Sequence, residues 1–544
     1  MARVAIREGF GSLVRRYVDE RYALDPVAAT AAGIHDHDAR VPDLTAEGWA
    51  AREAFADRWA DELESVAPQD LDALGRTDRA LLLAELRGQQ ALRSFERWKR
   101  QPGLYSDAVI RGAYYLLVRD EAPAEARLAA LAERLARAPD ALEAARANIE
   151  AERTPPVWVV TAGEQAAAGA TFVRAVLPGH APEGSAAKRE LLAAGKRAGD
   201  ALDAYAAWLR DDLMRRVRGT FSIGVDAFER LLEERELVEH DRVSLQRFGE
   251  DLYRATESRL GEAARAMGDA DWRASVARIR QDHPGEEDLV ATYRAEMERS
   301  REATRVADLA TFPENEALLV EAMPEFARPT APYALYVPPG GFEAGRRGRF
   351  WVTLPPASDP ENVRRERLEG HPRAGIPVIA CHEGYPGHHF QMARAAAHPS
   401  LARRVARSNL LIEGWGLYVE ELLTELGYLR SPETRLLRLK DLLWRAARVV
   451  VDCGLATGAM TFEQAVAFMV EGPKLERPNA IAEVRRYTMD PLQPSSYALG
   501  RAALLELRER ARRRGFGMKQ FHDTVLAAGS IPPRLLAVEA GLPD

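Results

Sequence analysis

The sequence predicts a mostly α-helical protein, and two observations lead to this prediction. Leucine, alanine and aromatic residues recur at three- and four-residue spacing through long segments, with arginine and glutamate between them, which is typical of helices with one buried face. Proline, glycine and aspartate interrupt the pattern, as expected at helix ends. The clearest helical segments are residues 77–100, 124–138, 186–217 and 245–267.

One region departs from the helical pattern. Residues 333–337 and 349–354 are short runs of aromatic and β-branched residues on either side of a loop rich in proline and glycine. Such runs are typical of strands, so they predict a β-hairpin over residues 331–356.

Helices resume from about residue 376 and continue to the end of the chain. Ser431 is expected to cap one of them, with Pro432 in the first helical position. Thr461 and Gln464 have the spacing of a capping box at the start of another.

The size of the chain suggests two lobes. With 544 residues, 47% of them hydrophobic and 29% charged, the chain is long enough to bury a large core. We predict an N-terminal helical lobe over residues 1–325 and a second helical region over residues 326–544 that carries the hairpin. The two lobes are expected to pack as one unit.

Composition excludes several classes of protein. The chain has two cysteines, Cys381 and Cys453, and so is not a disulfide-stabilised protein. The N-terminus lacks the apolar core of a signal peptide, and no run of about 18 apolar residues occurs, so we expect a cytoplasmic protein with no membrane partner. A net charge of -7 argues against nucleic-acid binding. Oligomeric state is not predicted.

The stretch CHEGYPGHHF, residues 381–390, resembles a zinc-binding motif with altered spacing. In the common form, His-Glu-x-x-His, two histidines share one helical face and the glutamate acts as a general base. Here His382 and Glu383 are followed by His388 and His389. In a straight helix, residues six apart point about 120° away from each other and residues seven apart are separated by about 10.5 Å, so neither pair reaches one ion.

Pro386 and Gly387 remove this difficulty. Proline cannot donate a hydrogen bond to the carbonyl of His382, so it breaks the helix one turn later. Glycine then permits the backbone angles that bring the next histidine back. We therefore predict a metal site that uses His382 with His388 or His389. The alternative is a cluster of histidines beside a turn without metal, but three of the 11 histidines fall here, next to a glutamate.

A two-histidine zinc site needs a third protein ligand, which is often a glutamate on a later helix. Glu413 follows an apolar run and precedes two glycines that would let another chain or a ligand come close. Glu420 and Glu421 lie further along the same helix, but adjacent acids are more often solvent-facing, so we assign them at most a supporting role. Cys381 lies on a different helical face from His382 and is expected in the core.

Several blocks of the chain carry a family resemblance. In order, they resemble the signature blocks of the bacterial family catalogued as domain of unknown function 885, over nearly the whole chain. Members of that family are similar to the gluzincin metallopeptidases, the group of thimet oligopeptidase, thermostable carboxypeptidase and angiotensin-converting enzyme. This likeness implies a two-lobed helical body with a small β-hairpin beside a deep active-site channel, and one zinc ion per chain. The blocks are residues 24–45, 382–391, 413–427, 448–455 and 482–500.

The resemblance also implies roles for the motif residues. His382 and His388 match metal ligands, Glu413 matches the third ligand, and Glu383 matches the general base. His389 either replaces His388 on the metal or donates a hydrogen bond to the developing oxyanion.

Residues near the C-terminus match supporting positions. Tyr497 matches a phenol aimed at the tetrahedral intermediate, and Arg485, Arg486 and Tyr487 would bind a substrate carboxylate or stabilise the same charge. A structural role as surface cations and a core aromatic is the alternative for these residues. Asp452 lies in an otherwise apolar stretch and would accept a hydrogen bond from a histidine ligand, on the side of the ring away from the metal.

The resemblance implies cleavage of short peptides, and with it we predict a zinc-dependent hydrolase in which Glu383 takes the proton of a water and passes it to the leaving amine. The hairpin would pair with an extended peptide as an added strand. The same residues would serve a hydrolase of non-peptide amides or amino-acid conjugates, and a non-catalytic binding protein with a relic site is a further alternative. The family usually has a histidine where this chain has Ala456, which affects substrate choice more than metal binding.

Overall fold

The computed structural model describes residues 2–324 and 333–542, with side chains from residue 9 onward. The chain forms two compact units. Unit 1 comprises Met1–Ile223 with Gly340–Ala344, and unit 2 comprises Gly224–Pro339 with Gly345–Asp544. The predicted lobe boundary between residues 325 and 326 lies outside the described residues.

Unit 1 consists of helices joined by turns and loops, with no strand among its described residues. Capping explains several helix starts, because a side-chain oxygen accepts a hydrogen bond from a first-turn backbone N–H at Asp25, Thr45, Asp72 and Ser185. Its described α-helices, in chain order, are α1 (Ala2–Leu24), α2 (Pro26–Ala32), α3 (Ala46–Ser65), α4 (Ala73–Ala91), α5 (Gly103–Val118), α6 (Ala124–Ala136), α7 (Ala138–Asn148), α8 (Pro156–Thr171), α9 (Ala186–Trp208) and α10 (Met214–Arg216).

Unit 2 contains the remaining described helices and a small sheet. Within it α19 packs along α23, and α12 packs along α20. The described helices are α11 (Val225–Arg230), α12 (Arg242–Ala266), α13 (Trp272–Arg280), α14 (Glu286–Val306), α15 (Glu361–Leu368), α16 (Ile376–Glu383), α17 (His388–Ala396), α18 (Leu401–Val405), α19 (Asn409–Glu425), α20 (Pro432–Thr457), α21 (Phe462–Glu471), α22 (Arg477–Tyr487), α23 (Gln493–Arg513), α24 (Met518–Ala527) and α25 (Pro533–Glu539).

The sheet has three strands in the order β1, β3, β2, with β1 at Glu316–Ala322, β2 at Ala334–Val337 and β3 at Arg346–Val352. β3 pairs in parallel with β1 and antiparallel with β2. Phe350 in β3 is fully buried in a core cluster that joins the sheet to α14 and α16. This cluster fixes the position of α16, which carries the first predicted metal ligand.

The structure confirms the mostly helical class, and the predicted hairpin corresponds to β2 and β3. Residues 331 and 332 of its predicted range lie outside the described residues. The sequence did not predict β1, because its alanine, leucine and glutamate residues are good helix formers and only the pairing with β3 selects a strand. Among the described helices, none combines the length and apolar character needed to cross a membrane.

The two predicted helix caps are confirmed. Ser431 caps α20 with Pro432 at its start, and Thr461 forms a capping box with Gln464 at the start of α21. The segment predicted as helix to residue 100 ends as α4 at Ala91, before short 3₁₀ turns.

Buried histidines predict an acid-sensitive stability of unit 2. Burial lowers the pKa of His371, His398 and His522 from 6.5 to about 4. His522 is held between the Tyr418 hydroxyl, 2.7 Å from Nε2, and the Leu309 carbonyl, 2.8 Å from Nδ1. Between pH 6.5 and 4 the unfolded chain binds more protons than the folded protein, so the free energy of unfolding should fall as the pH decreases, by about 1.4 kcal/mol per pH unit for each histidine.

Urea denaturation between pH 7.5 and 5 measures this dependence. His522→Gln keeps an amide donor and a carbonyl acceptor at the same place but does not titrate, so its slope with pH should be shallower than that of the wild type. An identical slope in the two proteins would show that His522 is not buried in its neutral form.

Candidate metal centre

Three helices of unit 2 bring the predicted ligands together. α16 carries His382, α17 begins at His388, and α19 carries Glu413. One ligand atom from each residue lies within 4.8 Å of those of the other two. His388 Nε2 is 3.4 Å from Glu413 Oε2, close to the separation of about 3.3 Å between two ligands of a tetrahedral zinc ion. The two imidazoles lie nearly perpendicular to each other, with centroids 4.6 Å apart.

Behind His382, α19 provides both space and an orienting carboxylate. His382 Nδ1 lies 2.7 Å from Glu420 Oε1, which leaves Nε2 as the nitrogen available to a metal. The His382 ring packs against Gly416, where an added Cβ atom would lie 2.5 Å from the Cε1 atom of His382. Glu413, Gly416 and Glu420 follow each other at three- and four-residue spacing, so they share one face of α19.

Glu420 has the supporting role that the sequence allowed it, although adjacent acids are more often solvent-facing. It is only 3% exposed and contacts a predicted ligand directly. Its spacing from Glu413 and Gly416 was the signal that could have identified it. Glu421, the adjacent acid, pairs instead with Arg501.

The electrostatics of the site suit a cation. Burial alone would raise the pKa of Glu413, but its hydrogen bond with His388 and the positive charges around it lower that pKa to about 2. His388 Nδ1 is buried and has no hydrogen-bond partner within residues 2–324 and 333–542. Two imidazoles and an ionised carboxylate form a donor set that zinc hydrolases commonly use, so the residues present fit a zinc ion.

The turn between α16 and α17 is what allows the long spacing. α16 ends at Glu383 and α17 begins at His388, so the helix is interrupted around Pro386 as predicted. Gly387 has φ -75° and ψ -138°, and a Cβ atom there would lie 1.9 Å from the carbonyl oxygen of His382, so the turn needs glycine at this position. The Trp415 indole N–H donates to the carbonyl of Pro386 at 2.7 Å and holds the turn against α19.

Glu383 lies beside the ligands, half-buried as the last residue of α16. Burial lowers the pKa of His388, but its hydrogen bond with Glu413 and the negative charge of Glu383 outweigh this effect and raise the pKa. The carboxylate of Glu383 is therefore near enough to the cluster to act on it electrostatically.

His389 occupies a different position from the one predicted. Its Nε2 atom is 2.7 Å from Glu316 Oε2 and its Nδ1 atom is 3.2 Å from the Tyr336 hydroxyl, so both ring nitrogens have partners in the sheet. Tyr385 also donates to Glu316, at 2.6 Å. Of the two neighbouring histidines, His388 joins the cluster, and His389 attaches α17 to β1 and β2.

Residues of α22 and α23 approach Glu413 from another side. The Gln493 side-chain amide donates to Glu413 at 3.5 Å and accepts a hydrogen bond from Arg486 at 2.7 Å. Burial raises the pKa of Tyr497, and the negative charge of Glu413 raises it further. The phenol of Tyr497 is therefore protonated at neutral pH and able to donate a hydrogen bond near Glu413.

Tyr487 lies within a hydrogen-bond network of buried side chains. It is 1% exposed, and its hydroxyl donates to Glu483 at 2.7 Å and accepts from Arg448 at 2.9 Å. Arg485 and Arg486 are adjacent on α22 and point about 100° apart, and Arg486 shares in this network through its hydrogen bond with Glu483. The sequence did not single out Arg448, although it lies in a block that carries the resemblance.

Asp452 also has a different partner from the one predicted. It is fully buried, but its carboxylate accepts hydrogen bonds from the Ser495 hydroxyl and the backbone N–H groups of Leu492 and Ser495. Burial raises its pKa to about 7, although these hydrogen bonds oppose the shift. Asp452 thus supports the start of α23, which carries Gln493 and Tyr497, rather than a histidine ligand.

Comparison with solved structures reveals two similar folds. A putative lipoprotein of unknown function from Shewanella oneidensis has 21% sequence identity and a TM-score of 0.80, with 97% of this chain and 98% of that chain covered. A putative lipoprotein from Colwellia psychrerythraea has 19% identity and a TM-score of 0.81, with 98% of both chains covered. Both are described as lipoproteins, which contradicts the predicted cytoplasmic location, and that prediction is wrong.

The sequence matches a family profile but no individual curated protein. No curated protein matches the chain significantly. The profile of a family described as "Bacterial protein of unknown function (DUF885)" matches residues 26–539, in agreement with the blocks recognised in the sequence. Because this match covers nearly the whole chain, the protein belongs to the DUF885 family of bacterial proteins.

Proposed function

We propose that this protein is a zinc-dependent hydrolase that cleaves peptide bonds in short peptides. The observation that carries the proposal is the convergence of His382, His388 and Glu413 within 4.8 Å, with Glu420 holding the first histidine from behind. Three protein ligands of this kind leave a fourth coordination position for water or substrate, as in catalytic rather than structural zinc sites.

Each residue has a definite task in this proposal. His382, His388 and Glu413 would hold the ion, which when bound supplies Lewis acidity that polarises a carbonyl and acidifies water. Glu383 accepts the proton of the attacking water and passes it to the leaving amine. The protonated phenol of Tyr497 donates a hydrogen bond to the oxygen on which negative charge develops.

The likeness to gluzincin metallopeptidases forms part of the same proposal. The two ligand histidines on either side of a broken helix and the glutamate on a later helix support it, as does the small sheet preceding them in the chain. We include in the proposal the two-lobed body with a deep channel that this likeness implies. A short peptide would bind in extended form along the edge strand β2, through backbone hydrogen bonds.

Glu383→Gln tests the catalytic assignment. Glutamine has the size of glutamate but cannot accept the proton, so hydrolysis of a peptide substrate should fall by about 10²–10⁴-fold while bound zinc is retained. The measurement is kcat/KM on a substrate found by screening dipeptides, tripeptides and acyl-amino acids, with zinc content determined on the same preparation.

Glu425→Gln is a suitable control, because Glu425 lies near the end of the helix that carries Glu413 but pairs with Arg508 on the surface. Its activity should equal that of the wild type. Full activity in zinc-loaded Glu383→Gln would contradict the role of Glu383, and the absence of hydrolysis of any substrate by the zinc-loaded wild type would contradict the proposed function.

A further inference from the structure

The guanidinium group of Arg448, on α20, has one nitrogen without a hydrogen-bond partner at normal distance in the described part of the chain. The side chain is buried, with Nε donating to the Tyr487 hydroxyl at 2.9 Å and Nη2 to Glu483 at 3.2 Å. Nη1 is also buried and has no hydrogen-bond partner at normal distance among the residues that the structure describes, although the Tyr497 phenol interacts with the guanidinium group. Leaving a buried donor in this state is unfavourable, so an acceptor is expected there.

The charges around Arg448 sum to a positive value, which favours binding of an anion. Glu483 is shared by Arg448 and by Arg486, which donates to it at 2.8 Å. Arg445, one turn before Arg448, lies 3.6 Å from Asp441. Asp441 also pairs with Lys440, at 3.5 Å, so the positive charges in this group outnumber its two carboxylates.

This positive group adjoins the candidate metal centre. The ring of Tyr497 lies 4.7 Å from the guanidinium carbon of Arg448 and 5.8 Å from that of Arg445. Gln493 links the same network to Glu413 through the hydrogen bonds described above. The positive charge of Arg448 also lowers the pKa of Glu413, after the larger effects of burial and of the histidines.

We propose that Arg448 binds a free carboxylate on the residue that leaves during hydrolysis, so that the enzyme removes single residues from the C-terminus of its substrates. This inference rests on the proposed function. In a peptide, the terminal carboxylate lies about 4 Å from the scissile carbonyl carbon, so its binding group must be close to the metal ligands. Arginine suits this task because its planar fork binds carboxylates with high specificity.

The chemistry is ordinary hydrolysis. The oxygen of water forms a bond to the scissile carbonyl carbon, the carbon–nitrogen bond breaks, and the leaving nitrogen takes a proton. The products are a shortened acid and a free amino acid whose carboxylate was bound by Arg448. Trp444, 4.5 Å from the guanidinium carbon, holds this group in place.

The test compares paired substrates on the zinc-loaded wild type. A series of N-acetylated dipeptides with a free C-terminal carboxylate is assayed beside the same dipeptides as C-terminal amides. We expect kcat/KM to be about 10²-fold higher for the acids, since a charged hydrogen bond is lost with the amides. Equal rates, or a preference for amides, would overturn this inference and leave the proposed function intact. Hydrolysis of neither series would refute both.

Variants then test the assignment to Arg448. In Arg448→Gln the preference for acids over amides should disappear, mainly through a higher KM for the acids. A misfolded variant would instead lose both rates together. Arg403→Gln removes another buried arginine, which pairs with Glu539, and should keep the preference. A preference that persists in Arg448→Gln would show that another group binds the carboxylate.

Discussion

Replacing His388 with alanine is expected to remove bound zinc from this protein. The wild type should contain about one zinc ion per chain after purification with zinc supplied, because its two imidazoles and one carboxylate provide three ligands. The variant retains two ligands that lie on different helices, and it also leaves the partly buried Glu413 without the imidazole that lies 3.4 Å from it. Elemental analysis of the purified protein, with a chelator competition for affinity, measures the loss.

Two further variants test how residues next to the ligands contribute to zinc binding. Glu420→Gln keeps all three ligands but weakens the hydrogen bond that orients His382, so zinc affinity should fall by about 10–100-fold. His389→Gln changes the neighbouring histidine, whose ring contacts Glu316 and Tyr336, and should keep its zinc. Loss of zinc in His389→Gln and not in His388→Ala would reverse the assignment of the second histidine, and zinc-free wild type would contradict the metal centre.

Much of this centre could be predicted because its determinants are local. Pro386 and Gly387 stand within five residues of His382, and the geometry of an α-helix is enough to show why an interruption is needed there. Glu413 could be selected because the two glycines after it indicate close approach on that face of α19. The structure places α23 against Gly414 and the His382 ring against Gly416, so both glycines have the use that was predicted.

The parts that escaped prediction depend on contacts distant in sequence. Glu420 is buried only because His382, from another helix, lies over its face of α19, and without that contact adjacent acids resemble a solvated surface. The strand β1 exists because β3 pairs with it, against its own helix propensity. Arg448 and Asp452 both suggest ion pairs or hydrogen bonds, but the partners come from α22 and α23 and could not be identified from spacing.

Gly500→Ala should strongly destabilise unit 2. Gly500 lies where α23 crosses α19, and a Cβ atom there would be 1.8 Å from the carbonyl oxygen of Leu410 and 2.8 Å from the Cα atom of Gly414. Both obstacles are backbone atoms, so no side-chain rotation relieves the overlap and the helices must separate. We expect the free energy of unfolding to fall by about 3 kcal/mol or more, since overpacking of a well-packed core costs about 1–3 kcal/mol even where side chains can adjust.

Urea denaturation measures this change, and Gly261→Ala is the matched control. Gly261 lies in α12, and the Cβ atom would meet only the end of the flexible Arg265 side chain, at 3.3 Å. Alanine there should stabilise the helix by up to about 1 kcal/mol, so the same substitution has opposite signs at the two sites. Because Glu413 precedes Gly414, separation of α19 from α23 should also reduce zinc affinity in Gly500→Ala. Wild-type stability in that variant would show that the two helices do not cross in backbone contact.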